Sequence, residues 1–473
     1  MAGLLTALEL AERGRSVVVL ERDAPGAGDT AMTSAHLTAM VDARYCALTK
    51  MHGARASVDV AKSHLRALAH LERVANRYDI DCDFRRVSAF LCAGTAAQAA
   101  QLKDEHEAAV AAGVRCELIR RAPRAIADGP ALHVPNQAQM EPLKLLSGVI
   151  EALHSYGVKI YAPVSVHKVA PHAGSDQTLI TTSTGRTVRA NHVVVATGSP
   201  INDGMAMHTK QAAYRTYAIS LLIRDLSPSL YWDMDDPYHY VRTATDAETQ
   251  KSVLIVGGED HRVGQGPENA SPFDHLLDWA RLRFPEATDV VSQWSGQVFE
   301  PSDGLAFIGR NPGDERVYII TGESGNGMTY SAIGAELISD LILGVPNQFE
   351  KLYDPSRKPT SISALSEFVR ENLNTAEQYS DWVAPADARD SADIPRGHGA
   401  VLRRGLKRVA IYIDEAGHAQ ELSATCPHLG GVVAWNPIEK SWDCPCHGSR
   451  FDCHGKVLEG PAVTDLEPIP SEQ

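Results

Sequence analysis

The sequence predicts a mixed α/β (α+β) fold: a large α/β domain carrying inserted segments, followed by a small all-β domain. Three observations predict it. The chain opens with a helix-then-strand pattern that ends on Glu21. A buried strand at Val317–Thr321 runs through a Gly-rich turn into a helix. Near the C-terminus, four cysteines and three histidines crowd into residues 426–454 among short apolar segments.

Composition bounds the possibilities. At 473 residues the chain is too long for one core and suggests about three units. Hydrophobic content of 44% with 22% charge is that of a globular enzyme. A net charge of −14 argues against nucleic acid as a partner, because phosphate calls for a basic face. No apolar run approaches the roughly 20 residues that span a bilayer, and no signal peptide is readable, so the expected location is cytoplasmic, with no membrane partner.

The opening residues 1–14 read as an amphipathic helix, and 15–20 as a strand. A dinucleotide-binding motif places its acidic ribose ligand about 20 residues beyond its glycines, at the end of the second strand. Gly3, seventeen residues, and Glu21 match the second half of that pattern. The first strand and first two glycines are not in the chain, which starts inside the motif; a mis-assigned start codon is the expected reason. Helices follow at 65–78 and Ala96–Ala112. A strand at 164–169, a hairpin at Thr184-Gly185 and a buried strand at 193–196 lead into Thr197-Gly198. Strands at 214–223, 238–242 and 252–256 form a sheet that carries polar Arg215, Tyr217, His239, Tyr240, Arg242 and His261. The turn Gly322-Glu323-Ser324-Gly325-Asn326-Gly327-Met328 precedes a helix at 332–343, an arrangement that aims backbone N–H groups at an electron-rich ligand. Residues 351–393, rich in Pro, Ser, Ala and Asp with a helical patch at 362–375, read as a linker.

The C-terminal cluster reads Cys426-Pro427-His428, fifteen residues, then Cys444-Pro445-Cys446-His447-Gly448-Ser449. Two thiolates can hold one iron and two imidazoles the other in a [2Fe–2S] cluster, with Cys426, His428, Cys444 and His447 as ligands. Zinc also accepts Cys₂His₂ sets, but with other spacings. Strands at 409–413 and 432–435, and prolines at 461 and 468, suit a small antiparallel β domain. Cys453 and His454 read as surface residues, and Cys46, Cys82, Cys92 and Cys116 as reduced cysteines in or near the core.

This segment resembles Rieske proteins over about residues 395–470. Many of these carry a disulfide from the second box to the position of Gly431; here Cys446 has no such partner. Ser449 is kept as a donor to a bridging sulfide, but Phe451 stands where high-potential relatives carry a tyrosine. The expectation is a potential in the lower part of the Rieske range.

The rest of the chain resembles the D-amino-acid oxidase/glycine oxidase superfamily of FAD enzymes, on Thr33-Ser34-Ala35-His36-Leu37-Thr38, Gly257-Gly258-Glu259-Asp260-His261 and Trp294-Ser295-Gly296-Gln297. More narrowly, it resembles members of that superfamily fused to a C-terminal Rieske domain. The resemblance implies a Rossmann-like FAD-binding part (about 1–75, 146–204, 294–350), a substrate domain (about 76–145, 205–293), a linker (351–393) and a Rieske domain (394–473). It implies FAD contacts from Gly3, Glu21, Arg22, Thr33, Ser34, Ala35, His36, Val164, Thr197, Gly198, Gly322, Gly325, Asn326, Gly327 and Met328. His36 is a candidate for covalent flavin attachment; the other reading is a hydrogen-bonding histidine. Arg242 and His261 are the candidate catalytic residues, with Gln137 and Gln139 as possible walls. The implied activity is oxidation of an amine or amino-acid-like CH–NH donor, with electrons passing from FAD to the cluster and on to an external acceptor protein. Two alternatives stand beside it: electrons entering from a donor protein through the cluster, and a non-enzymatic Rieske carrier.

Overall fold

The computed structural model describes residues 1–469 except 125, 202–206, 225, 247–248, 267–270, 359–364, 367–368, 371–372, 375–377, 379–381, 383–386 and 389. The helical patch expected at 362–375 falls mostly outside the described residues.

Ala2–Glu12 is helical, with Leu4, Leu5, Ala7, Leu8 and Ala11 all buried. A helix apolar on most faces needs several neighbours, and this one packs on the Gly327–Leu343 and Pro142–Ser155 helices. Val18–Leu20 pairs in parallel with Lys159–Tyr161. A second parallel pair joins Val193–Val195 to Val317–Thr321, flanked by Phe307–Arg310. The helix expected at 332–343 begins earlier, at Gly327, because the glycine turn leads straight into its first turn through Ser324–Asn326.

Among the described residues the largest sheet has nine strands. Its path runs Val290–Pro301, Gln211–Leu222, Ser252–Arg262, His239–Thr245, Ser229–Trp232, Arg85–Cys92, Ala131–Gln139 and His36–Leu37, with Glu117–Ile119 paired to Ala131–Gln139 off that path. Segment 76–145, legible as helices, therefore also supplies strands. Ala89 to Cys92 are buried on both faces, and a short apolar run without alternation does not declare itself a strand. Ala89 and Leu91 join the core that includes Val60 and Leu68 of the Ala54–Arg77 helix. Phe90 and Cys92 join the core beneath the Pro272–Arg283 helix. That division is the two-residue period of a strand.

The C-terminal part is two small antiparallel sheets, one of His398–Arg404, Lys407–Ile413 and Ala419–Ser423, the other of Ala434–Asn436, Ser441–Asp443, Arg450–Asp452 and Val457–Glu459. Trp442 and Phe451 are fully buried between them and the cysteine loops. No helix among the described residues is long and apolar enough to cross a membrane.

Candidate functional site

A cavity of about 1480 Å³ is lined by both parallel pieces, through Val18, Val19 and Val193–Val195, and by the large sheet. Gly3, Glu21, Arg22, Thr33, Ser34, His36, Val164, Thr197, Gly198, Gly325, Asn326, Gly327 and Met328 all line it. Ala35 and Gly322 do not; each sits beside a residue that does. Three polar atoms in the lining, Asp260 Oδ1, Gln297 Oε1 and Glu323 Oε1, are shielded from solvent with no hydrogen-bond partner. Burial pushes the Glu323 carboxyl up to about 7, against the opposing field of the N-terminal ammonium. Buried atoms of this kind are satisfied in native proteins. An elongated polar ligand such as FAD fits the space and these orphaned acceptors.

His36 has both ring nitrogens engaged, Nδ1 with Ser34 Oγ at 3.0 Å and Nε2 with the Val241 carbonyl at 3.3 Å. Burial and the nearby Arg242 charge lower its pKa to about 3, so the ring is neutral. Its edges meet Trp232 and Tyr240.

The two expected catalytic residues do not line the cavity. Arg242 is buried behind His36, where it donates to the Ser34 carbonyl and lies 3.4 Å from Glu141. His261 points to the opposite face of its strand and meets Tyr217 Oη at 3.0 Å and the Arg262 carbonyl at 2.9 Å. For His261 the physical reason is strand parity; Arg242 shares the face of Tyr240, two residues away, but is covered by the Ser34–His36 segment to which it bonds. Thr216, Trp232, Tyr240 and Asp260 face the cavity, with Tyr238 just before its strand. Arg215, Tyr217, His239 and His261 therefore face away. Gly257 belongs to the same design, since a Cβ there would overlap the Tyr240 ring. Gln137 reaches the Thr38–Ala39 turn, where its Oε1 accepts from both residues, and Gln139 donates to the Thr243 carbonyl; neither lines the cavity.

The two cysteine loops have matching geometry. Cys426 N–H donates to the Gly431 carbonyl and Gly430 N–H to the Cys426 carbonyl; Cys444 and Ser449, then Gly448 and Cys444, repeat the pattern. The loops bring Cys426 and Cys444 together: contact with the Cys444 thiol, then burial, pushes the Cys426 thiol far up. The His428 and His447 rings lie 5.1 Å apart and nearly perpendicular. Burial lowers both imidazoles to about 4, leaving the neutral form that binds metal. His428 Nδ1 is shielded and unpartnered. Two thiols and an orphaned imidazole nitrogen fit a Cys₂His₂ cluster. Cys446 is a free thiol whose Sγ would lie 2.6 Å from a Cβ at Gly431, so glycine there leaves it unbridged. His454 is exposed and Cys453 half-buried.

The C-terminal domain sits directly on the large sheet. Arg215 makes a two-pronged ion pair with Glu439, at 2.8 and 2.6 Å, and reaches Glu459 at 3.0 Å. Gln297, which lines the cavity, donates through Nε2 to the Gly448 carbonyl at 2.9 Å. A Cβ at Gly448 would run into Ala213. His208, held near Ser199 Oγ at 3.4 Å, packs its ring on His428 at 4.5 Å and His447 at 5.7 Å.

A cavity for a dinucleotide, a sheet wall above it and a Cys₂His₂ loop pair docked on that sheet define a flavin-dependent oxidoreductase carrying an iron–sulfur domain. The FAD dependent oxidoreductase (DAO) family matches residues 1–341 and the Rieske [2Fe-2S] domain matches residues 384–470. The chain belongs to that oxidoreductase family, and its cofactors are FAD and a [2Fe–2S] cluster. It is 27% identical to the protein YhfW of Bacillus subtilis (strain 168), described as a Rieske 2Fe-2S iron-sulfur protein, over 99% of this chain and 91% of that one. Its last part is 49% identical over 70 residues to a cytochrome b6-f complex iron-sulfur subunit of Synechococcus sp. (strain JA-3-3Ab), over 14% of this chain and 41% of that subunit. Its fold is similar to glycine oxidase from Geobacillus kaustophilus, with a TM-score of 0.61 and 20% identity, covering 75% of this chain and 96% of that one. It is also similar to L-proline dehydrogenase from P. horikoshii, with a TM-score of 0.60, 17% identity, and coverage of 75% and 94%.

Thr216, Trp232, Tyr238, Asp260, Asp42 and His208 were not singled out by sequence reasoning. Strand alternation held the signal for Thr216 and Asp260, once the register of one neighbour was known. Nothing in the sequence places His208 beside the cluster.

Proposed function

We propose that the protein is a dehydrogenase for CH–NH donors that passes electrons from the flavin to the Rieske cluster and on to an external acceptor protein. One observation carries the reading: Gln297 lines the flavin cavity and also hydrogen-bonds the carbonyl beside cluster ligand His447. Two redox groups joined through one side chain make a short internal path for electrons.

Thr33, Ser34 and His36 on one side, with Gly325–Met328 at the start of the Gly327–Leu343 helix on the other, would hold the flavin. Glu21 would take the ribose hydroxyls. Val164, Thr197 and Gly198 would line its adenosine half. Cys426, Cys444, His428 and His447 would hold the irons. The flavin supplies the two-electron acceptor for the substrate C–H bond, and the cluster relays one electron at a time. Atoms balance as amine to imine with loss of two electrons and two protons, then hydrolysis to carbonyl and ammonia. The sheet wall positions the amine and excludes water from it. His36, neutral and tied at both nitrogens, packs the wall and leaves the flavin non-covalently held.

The test is anaerobic reduction of the holoprotein with candidate amines, monitored together by flavin absorbance and by electron paramagnetic resonance of the reduced cluster. The reading expects the flavin to bleach and the cluster signal to follow at a rate independent of protein concentration. Bleaching with no cluster signal would overturn it.

A further inference from the structure

The sheet wall of the cavity has an electrostatic character that sets what it can hold. Its polar members are Thr216, Tyr238, Tyr240 and Asp260, with Trp232 beside them and Asp42 contributed by the loop after the His36–Leu37 strand. Among the described residues, the cationic side chains lining the cavity are Arg15 and Arg22 around Val18–Leu20, Arg189 on the Thr187–Ala190 strand, and Lys456 of the C-terminal domain. None belongs to the large sheet.

Two arginines on the strands of this wall are committed elsewhere, and Arg44, whose charge opposes the upward push of burial on the Asp42 carboxyl, does not line the cavity. Arg242 is 2% exposed and spent on the Ser34 carbonyl and Glu141. Arg215 is on the far face, paired with Glu439 and Glu459. His36 is neutral, as its lowered pKa requires. Among the described residues, the large-sheet wall therefore presents no guanidinium to clamp a substrate carboxylate.

The carboxylates are presented instead. Asp42 Oδ2 accepts from Gly325 N–H at 2.6 Å and Ser324 Oγ at 3.2 Å. Asp260 lines the cavity, and its Oδ1 is shielded from solvent with no partner. Burial holds its carboxyl up at about 6, with the Asp42 charge adding to the effect and hydrogen bonds from Thr216 and Tyr238 opposing it. A buried carboxylate without a counter-ion costs free energy that a cation recovers. Around it stand Tyr238 and Tyr240, with ring centroids 6.0 Å apart, and the indole of Trp232, groups that attract cations through their ring faces.

We propose that this wall is a binding site for a cationic amine with no carboxylate next to its amino group, with Asp260 as its principal counter-ion and Asp42 as a second. This inference rests on the reading of the protein as an amine-oxidising flavoenzyme and narrows its substrate to alkyl or arylalkyl amines. The ammonium binds; one N–H bond breaks and one O–H bond forms on the Asp260 carboxylate before the C–H bond is oxidised.

The test titrates the holoprotein with benzyltrimethylammonium and, separately, with benzoate, reading perturbation of the flavin visible band. The cation is expected to saturate the site and benzoate to leave the spectrum unchanged. Asp260→Asn should weaken the cation at least tenfold at equal flavin content, and Asp260→Glu should retain most of the affinity. Benzoate binding in place of the cation, or an Asp260→Asn variant that binds the cation as the unaltered protein does, would overturn the inference. Anaerobic mixing with benzylamine and with glycine separates the two levels. Reduction by glycine together with benzoate binding removes the cationic site and keeps the oxidation reading. Cation binding with no reduction by either amine removes the oxidation reading and keeps the site.

Discussion

Phe451 is fully buried against the cysteine loops, and Ser449 Oγ already accepts from Ala462 N–H while lying beside Cys426. The ring offers no hydroxyl to a cluster sulfur. A hydrogen bond to sulfur favours the reduced cluster, so Phe451→Tyr should raise its potential. If that bond strengthens by about 1 kcal/mol on reduction, the rise is about 40 mV for one electron. A redox titration followed by electron paramagnetic resonance reads it directly; no change or a fall would refute the hydrogen-bond account. At His36 the expectation concerns covalency. Denaturing the holoprotein in acid should release all the yellow colour into the supernatant, since neither ring nitrogen is free for a flavin bond. Colour retained on the pellet would contradict this.

The strand Gln211–Leu222 does two jobs by alternation, with Thr216 turned to the cavity and Arg215 and Tyr217 turned away. This element also shows how far the sequence could be read. Its existence was legible from its apolar, β-branched and aromatic residues, and so were Val317–Thr321, Ala96–Ala112 and the two Cys–His loops that the fold brings together. Tight loops write their chemistry into neighbouring letters, whereas a sheet wall takes one side chain from each of several distant strands. Which of two alternating faces meets the cavity depends on a register that no single strand encodes. His261 lies on the face turned from the cavity for that reason, whereas Arg242 shares the face of Tyr240 and is covered by the Ser34–His36 segment, a long-range packing that no strand pattern encodes. Arg215 acquires a role instead. Burial would raise the Glu439 carboxyl, but the hydrogen bond and charge of Arg215, then the charge of Arg450, hold it down at about 2. A carboxylate lowered in this way stabilises the docked arrangement at all pH values above its ordinary value near 4.5. That stabilisation is lost as pH falls from about 4.5 through about 2. Arg215→Met should leave two half-buried carboxylates to share Arg450, which Asp443 also engages, and cost about 3 kcal/mol. Chemical denaturation would show it as a lowered midpoint, and limited proteolysis as easier release of the C-terminal domain. An unchanged midpoint would mean that the pair contributes nothing to docking.

At the scale of the whole molecule, the flavin part and the cluster part share one interface, made by Arg215, Gln297, Ala213 and His208 on one side and Glu439, Glu459, Gly448 and His428 on the other. Gly448→Val would place a branched side chain where Ala213 already stands. The expected outcome is a protein that keeps both cofactors by absorbance yet reduces its cluster at least tenfold more slowly after the flavin is bleached. Stopped-flow mixing under anaerobic conditions measures that lag, and an unaltered rate would dissociate the interface from electron flow.

The ring of His208 has a consequence for traffic beyond this chain. It occupies the edge of the cluster domain on which both imidazoles are displayed. While the domain is seated, that edge is a plug already in its socket. On the proposed reading, an acceptor protein would meet another side of the cluster, or wait until the seat is vacated. Loading and unloading would then be separate acts, with the histidine edge closed to any outside redox partner while the domain is seated.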